Sequence, residues 1–355
     1  IVIESDDWGS IRMPSNAVLE SLLKNQVKLR PQLGLDKYDT LASNEDLEKL
    51  IKVLYSVKDK NGNKAKITLN CVVANPDFEK IKANGFTKYE YEIFIETLKR
   101  YSNHDKSFSL WKEGIQNKIF RPQFHGREHL NVQLWMNGLH KDFPGTRYAF
   151  DSGVFCNTFD KKYDIRGRYL EAFNVAYNNE YDFVLDSIKD GLSIFENIFG
   201  FKSKSMIAPN YIWDDKVEKT VFENGVKFIQ GSFIQINTIE SSKSENRNKY
   251  HYLGKRNNLN QIYMTRNCIF EPTHNRKFNS NKCIEDIEKA FLLKKPAIIC
   301  SHRVNYIGDL NVNNRDNNLE ELYYILNYII NKYPEVEFMF SDELGELIFQ
   351  TDTKK

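Results

Sequence analysis

Residues 1–15 read IVIESDDWGSIRMPS. Ile1, Val2 and Ile3 favour a strand, and the strand runs straight into two adjacent carboxylates, Asp6 and Asp7, followed at once by a Trp and a Gly. Like charges side by side repel unless a cation or a hydrogen-bond network holds them. Taken alone, the pair reads as an ordinary turn or capping acid pair after a strand. Its position gives it interest, because in a barrel of parallel strands the C-terminal strand ends face the active site.

The same rhythm continues along the chain. Short apolar runs predict further strands at 66–73, 119–124, 205–209, 226–231, 261–265, 296–301 and 336–341. Between them lie helical patterns: NEDLEKLIKVLYSVK, opening at Asn44 as an N-cap; KYEYEIFIETLKRYS; YDFVLDSIKDGLSIFENIFG, ending on Gly200 as a C-cap; and NNLEELYYILNYIINKYP, stopping at Pro334. Alternating strands and helices with about eight strands predict a parallel α/β fold, a closed or nearly closed barrel, with a doubly wound open sheet as the alternative. No internal repeat and no linker divides the chain, so residues 1–355 are expected to form one domain. The stretch 131–204 is too long for one crossover and is expected to carry an insertion. The polar stretches 238–260 and 308–318 read as loops that shape a cleft.

Bulk properties narrow the class. Lysine and arginine total 50 against 48 acids, a formal net charge of +2, and no dense basic run stands out, so nothing here signals nucleic-acid binding. Five dispersed cysteines without a CxxC pair argue against a disulfide framework and for reduced thiols. No apolar run approaches the ~18 residues of a membrane span, and no signal peptide is visible, which gives a cytoplasmic expectation. The oligomeric state is not legible.

Two further clusters give the aspartate pair a context. RPQFHGREHL puts His125 and His129 four residues apart, a spacing used by paired metal-binding histidines. Two histidines and one carboxylate make three protein ligands and leave positions open for water. His125, Glu128 and His129 also match the H-x-x-E-H pattern of inverted zinc peptidases, a competing reading, although Pro122 and Gly126 argue for a loop where those enzymes have a long helix. In PAIICSHRVNYIG a buried strand ends at Ser301-His302, a position suited to proton transfer near neutral pH. Arg303 and Tyr306 read as packing residues or substrate contacts. Trp8, Trp135 and Trp213 are candidates for stacking on sugar rings or for core packing. His104, His140, His251 and His274 fall in polar stretches and are expected to be solvated, and Cys300 reads as a packed thiol facing the barrel interior.

In this order, the clusters make the chain resemble the NodB-homology polysaccharide deacetylases, carbohydrate esterase family 4. ESDDWG looks like that family's T-F-D-D-G, HGREH like its H-[ST]-x-x-H with Gly126 at the hydroxyl position, and ICSH like its late L-x-H. FMFSDELGELI looks like its last strand and helix start. The resemblance implies a distorted (β/α) barrel of the NodB type with insertions. It implies a metal-dependent hydrolase that removes acetyl or similar acyl groups from a polysaccharide or sugar derivative. Asp6 would be the base and His302 the acid. Asp7, His125 and His129 would hold a divalent metal, Zn²⁺ first, with Co²⁺, Ni²⁺ or Mn²⁺ as alternatives. Trp8, Asn210, Tyr211 and Arg303 would meet the carbohydrate, and a backbone N–H near Asn210–Tyr211 would help stabilise an oxyanion.

The chain also departs from the family. Its R-x-P-Y motif becomes MIAPNY, with Ile207 at the arginine position and Tyr211 one place late. Arg127 and Arg266 are the candidates to replace that arginine beside Asp6. The D-x-x-D-W motif that orients the acid histidine has no clear match, and Glu271 or Arg266, in TRNCIFEP, could take the role. These losses keep open a third reading, a glycan-binding pseudoenzyme of the same fold.

Overall fold

The computed structural model describes residues 1–30, 33–242, 247–274 and 278–352. The fold is a distorted (β/α) barrel. Eight strands build it: β1 (Val2–Trp8), β2 (Ile67–Cys71), β3 (Phe120–Phe124), β4 (Ser205–Ile207), β5 (Phe228–Gly231), β6 (Ile262–Thr265), β7 (Cys268–Ile269) and β8 (Ile298–His302). They lie in the order β6-β5-β4-β3-β2-β1-β8-β7, and every pairing within this sheet is parallel. Helices cover the outside, so the strands are buried on both faces and read as apolar runs rather than as an alternation.

The two edge strands, β6 and β7, are neighbours in sequence, separated only by Arg266 and Asn267. The Arg266 N–H bonds to the Gly231 carbonyl of β5, and the Asn267 N–H bonds to the Ile298 carbonyl of β8. Two consecutive residues thus reach opposite edges of the sheet, which curls it toward closure. The predicted strand at 336–341 is only a single bridge, Met339 to Val2, and the chain then enters the helix Ser341–Asp352. The strand missing from the prediction is β7, too short to show a periodicity.

Alternation along β1 sorts its side chains. Val2 joins Phe228, Ile262, Met264, Ile298 and Leu344 in an apolar plug at the bottom of the barrel. Glu4 and Asp6, two and four residues on, enter an increasingly polar interior that includes Asn70, Gln230 and Arg266. Ile3 points out, into the large core shared with the helices Asn44–Ser56, Ser107–Gln116, Ser280–Leu292 and Val312–Lys332.

Local signals shift several elements. The first of these helices is capped by Ser43 in a reciprocal box with Asp46, so Asn44 is its first residue rather than its cap. Gly200 does close its helix in a left-handed conformation, φ 75°. KYEYEIFIETLKRYS splits into a short strand, Tyr91–Ile93, and a helix, Phe94–Lys99. The stretch 131–204 holds the helices Val132–His140, Thr146–Asp151 and Tyr181–Phe199, and the residues before the last of these share a core with Met13, Leu19 and Leu22. The 238–260 stretch carries a strand, Asn248–Tyr250, paired with Ile234–Ile236, and residues 243–246 of it lie outside the described residues. Most of 308–318 is the start of the helix at Val312, capped by Asn311. Among the described residues no helix is long and apolar enough to cross a membrane.

Candidate active site

At the C-terminal end of β1 the ladder breaks. The register against β2 shifts between Ser5 and Trp8, and Asp7 sits at φ 71°. In a regular strand, adjacent residues point to opposite faces. The bulge and the left-handed Asp7 turn both carboxylates into one cleft. Gly9, at φ 82°, completes the turn, and a Cβ there would stand 2.3 Å from the Val72 carbonyl oxygen. The cleft, about 160 Å³, is lined by Asp6, Asp7, His125, His129 and His302, by Arg12, Arg30 and Arg168, and by Ile207, Ala208, Asn210 and Tyr211.

His125 follows β3 directly, its N–H bonded to the Cys71 carbonyl. Gly126, at φ 106°, then turns the chain into an irregular loop, and helix begins only at Val132. The loop brings the His125 and His129 rings to 5.0 Å between centroids. His125 Nδ1 is 2.9 Å from the Ile207 carbonyl oxygen. A carbonyl can only accept, so Nδ1 donates to it and Nε2 is the ring nitrogen left for the cleft. That Nε2 has no hydrogen-bond partner and lies 3.4 Å from Asp7 Oδ1. His129 Nε2 is 3.5 Å from the same oxygen, and burial, then Arg12, holds the His129 pKa well below the usual range. Donors around a tetrahedral cation at roughly 2.0–2.2 Å stand about 3.3–3.6 Å apart. The donor atoms of Asp7, His125 and His129 lie within 4.8 Å of one another, and no other such group occurs among the described residues. The set fits a divalent cation: one carboxylate, two buried imidazoles and a ring nitrogen with no other hydrogen-bond partner.

Asp6 is served by a different apparatus. Arg266 donates to both of its oxygens, Nη2 to Oδ1 at 2.7 Å and Nη1 to Oδ2 at 2.8 Å, and sends Nε to Glu4 at 2.6 Å. Asn70 Nδ2 adds a bond to Asp6 Oδ1 at 2.8 Å. Burial pushes the Asp6 carboxyl up, but the guanidinium overrides it and leaves the pKa below the usual value. Asp7 is held well below that range: burial again opposes, and Arg12, whose Nη2 lies 2.8 Å from Oδ1, leads the groups that outweigh it.

His302 stands beside Asp6 in the β1–β8 register, its Nε2 4.0 Å from Asp6 Oδ2. Glu271 accepts from His302 Nδ1 at 2.6 Å and is fixed from its other oxygen by Asn305. Burial alone would lower the His302 pKa, but Glu271 pushes it up to about 9. Glu271 therefore touches the histidine and Arg266 touches the aspartate. Cys300 faces inward as expected, its thiol 3.3 Å from Arg266 Nη1 and pushed up to about 12 by burial.

Several expected residues lie elsewhere. Trp8 is buried at 1% exposure, edge-on to Trp111 and bonded through Nε1 to Ser5, so it offers no face to a sugar. Trp135 and Trp213 are buried too. Arg303 is wholly buried, paired with Asp39 and the Ser10 carbonyl. Arg127 binds Glu128 at 2.7 Å and Asp190 at 2.9 Å, away from Asp6. Glu128 is thus occupied and outside the cleft. His104 and His251 are buried rather than solvated, the first bonded to backbone carbonyls and the second stacked on Tyr263. Asn210 and Tyr211 do line the cleft, both with positive φ of 55° and 58°. The Tyr211 N–H is used on the Ala208 carbonyl, and its hydroxyl lies 3.2 Å from Arg266 Nη1. The described residues of 238–260 and 308–318 contribute nothing to the lining. The arginines at 12, 30 and 168 do, and no motif marked them.

A wider groove of about 1070 Å³ opens at the other end of the barrel, lined by Ile1, Pro296, Tyr333, Leu347 and Ile348 among others. It contains no histidine or cysteine.

No family profile matches the chain, and no curated protein does. Solved structures similar to it include an assigned polysaccharide deacetylase from Mycobacterium smegmatis, 8% identical, TM-score 0.47, covering 99% of this chain and 91% of that one. Another is a 4-alpha-glucanotransferase from Thermococcus litoralis, 10% identical, TM-score 0.45, where 97% of this chain spans 37% of that one. A third is a carbohydrate esterase family 4 pseudoenzyme from Bacillus anthracis, 10% identical, TM-score 0.35, covering 85% of this chain and 61% of that one. At such TM-scores none of these likenesses bears on function.

Proposed function

We propose that the chain is a metal-dependent hydrolase that removes acetyl or similar acyl groups from a sugar derivative or polysaccharide. One observation carries the reading. Three converging metal donors, an aspartate held ionised and a histidine held protonated meet in a single cleft, although they come from distant parts of the chain.

Asp7, His125 and His129 would hold the cation. When bound, it would acidify a water and polarise an acyl carbonyl. Asp6, ionised at neutral pH because Arg266 grips both oxygens, is placed to take a proton from an attacking water. His302, kept charged by Glu271, is placed to give one through Nε2 to the leaving amine or alkoxide. A bound cation would also lower the His302 pKa toward neutrality, which suits a group that must release its proton. Glu128, fixed on Arg127 outside the cleft, has no access to such a water, which counts against a peptidase built on His125-Glu128-His129.

The test is metal content followed by acetate release. Wild type purified without chelator is expected to hold about one equivalent of Zn²⁺ or a similar ion, and both Asp7→Ala and His125→Ala to lose it. Acetate release from acetylated glycans should then depend on the metal and on Asp6. Protein that neither contains metal nor takes it up would sink the reading. Metal retained, with glycan bound but no acetate released, would make the chain a pseudoenzyme.

A further inference from the structure

Three guanidinium groups, those of Arg12, Arg30 and Arg168, line the cleft with the donor triad. Arg12 follows Asp7 by five residues, and Arg30 and Arg168 come from other segments. Each is held by a carboxylate: Arg12 by Asp7 and Asp39, Arg30 by Asp36 through Nε at 2.8 Å, Arg168 by Glu171. Of these carboxylates only Asp7 lines the cleft; Asp36, Asp39 and Glu171 do not. Against these three guanidiniums the cleft lining carries two carboxylates, Asp6 and Asp7, and Asp6 is already taken up by Arg266.

Donor capacity is left over. The Arg12 side chain is 1% exposed; its Nη1 stands 3.3 Å from Asp39 Oδ2, and its Nε has no hydrogen-bond partner. Arg168 spends Nε on Glu171 and, among the described residues, its two terminal nitrogens have no partner. Buried guanidinium N–H groups without acceptors cost free energy until something supplies oxygen. Planar forks of this kind match the paired oxygens of carboxylates and phosphates, with charge-assisted bonds stronger than those to neutral hydroxyls.

We infer that the ligand of this cleft is an anionic saccharide: a sugar bearing a carboxylate or a phosphate ester next to the acylated position, with Arg12, Arg30 and Arg168 holding the anionic group. Only the word acylated rests on the hydrolase reading; the anion preference is a matter of binding. The two anionic groups share the recognising chemistry and are separated by the test.

Binding is measured by calorimetry on the full chain, independently of turnover. The probes are a neutral N-acetylglucosamine oligomer, the same oligomer with a carboxylate-bearing N-acetylated sugar, and N-acetylglucosamine 6-phosphate against N-acetylglucosamine. At least one anionic probe is expected to bind tenfold or more tighter than its neutral counterpart, about 1.4 kcal/mol, and the preferred one identifies the group. Arg168→Gln, at a half-exposed side chain, should remove most of that ratio, and Arg168→Lys should restore part of it. The advantage should shrink as salt is raised from 50 to 500 mM. Anionic and neutral probes binding within twofold of each other, or Arg168→Gln weakening both equally, overturns the inference. An anion preference without acetate release leaves the inference standing and removes the hydrolase reading. Acetate release with no anion preference does the reverse.

Discussion

Arg266→Met is the sharpest test of how this site is built. The side chain is 3% exposed and is the shared partner of Glu4 and Asp6, with three bonds of 2.6, 2.7 and 2.8 Å. Breaking a buried ion pair from one side costs about 3–5 kcal/mol, because an uncompensated charge stays behind. Here two carboxylates would lose their counter-ion, so the loss should fall in the upper half of that range at pH 7. Linkage fixes the pH dependence. The Asp6 carboxyl is depressed by folding, so it adds stability above its unfolded pKa of 3.8, lost as pH falls through the folded value. Without Arg266 the main counterweight to burial is gone, and the Asp6 pKa moves up. Two measurements read this: urea unfolding from pH 4 to pH 8, and the acid limb of acetate release. Both should shift to higher pH, each pH unit corresponding to ~1.4 kcal/mol. Arg266→Lys keeps the charge but not the fork and should fall between the two. An unfolding free energy unchanged to within about 1 kcal/mol, with the acid limb in place, would refute the idea that Arg266 holds the base.

Glu271→Gln should lower the His302 pKa from about 9, since burial then acts without its main opponent; ring titration by NMR follows it directly. A histidine raised by folding adds stability below its unfolded value of 6.5 that is lost as pH rises through about 9, and the variant should lack that alkaline loss. Glu128→Gln should leave metal content and acetate release unchanged while costing ~1–3 kcal/mol at the buried Arg127, as seen in chemical unfolding; loss of metal or turnover would revive the peptidase reading. Gly9→Ala should destabilise by ~1–3 kcal/mol and lower metal affinity, because the added Cβ meets the Val72 carbonyl at 2.3 Å and the bulge that aims Asp7 must shift. Equilibrium dialysis against Zn²⁺ would show whether it does.

Legibility in the sequence followed the length and regularity of each signal. The long parallel strands were readable because burial on both faces leaves apolar runs such as Ile298 and Ile299. β7 was not, since two residues carry no period and its pairing with β8 is set by the crossing of the barrel seam. VEFMFS reads as a strand by composition, but its apolar residues are buried by packing at the bottom of the barrel, without a ladder. Within the site, spacing identified His125 and His129, and the loop that Pro122 and Gly126 signalled brings their rings together. Trp8 and Arg303 sit beside chemically active neighbours and point the other way, as alternation along an extended chain allows. Arg12, Arg30 and Arg168 were invisible because nothing in one dimension distinguishes a surface arginine from one folded into a cleft wall.

The barrel itself explains how Asp6 comes by its guanidinium. Ile207 stands on β4, where its carbonyl fixes the His125 ring. Arg266 enters the same cavity from the seam between β6 and β7, where the chain crosses from one sheet edge to the other. A side chain at that crossing points into the barrel at the level where Glu4, Asp6 and Cys300 already face inward. For the proposed reaction, a fixed positive charge on both oxygens of Asp6 is what counts, and the strand that supplies it is immaterial. The same holds for His302, whose carboxylate partner Glu271 arrives from just beyond β7. Both partners thus come from one short segment, residues 266–271, and act in opposite directions: one keeps a carboxyl ionised, the other keeps an imidazole charged. Two groups 4.0 Å apart are thereby driven to opposite protonation states near neutral pH, the separation that an acid and a base in one cleft require.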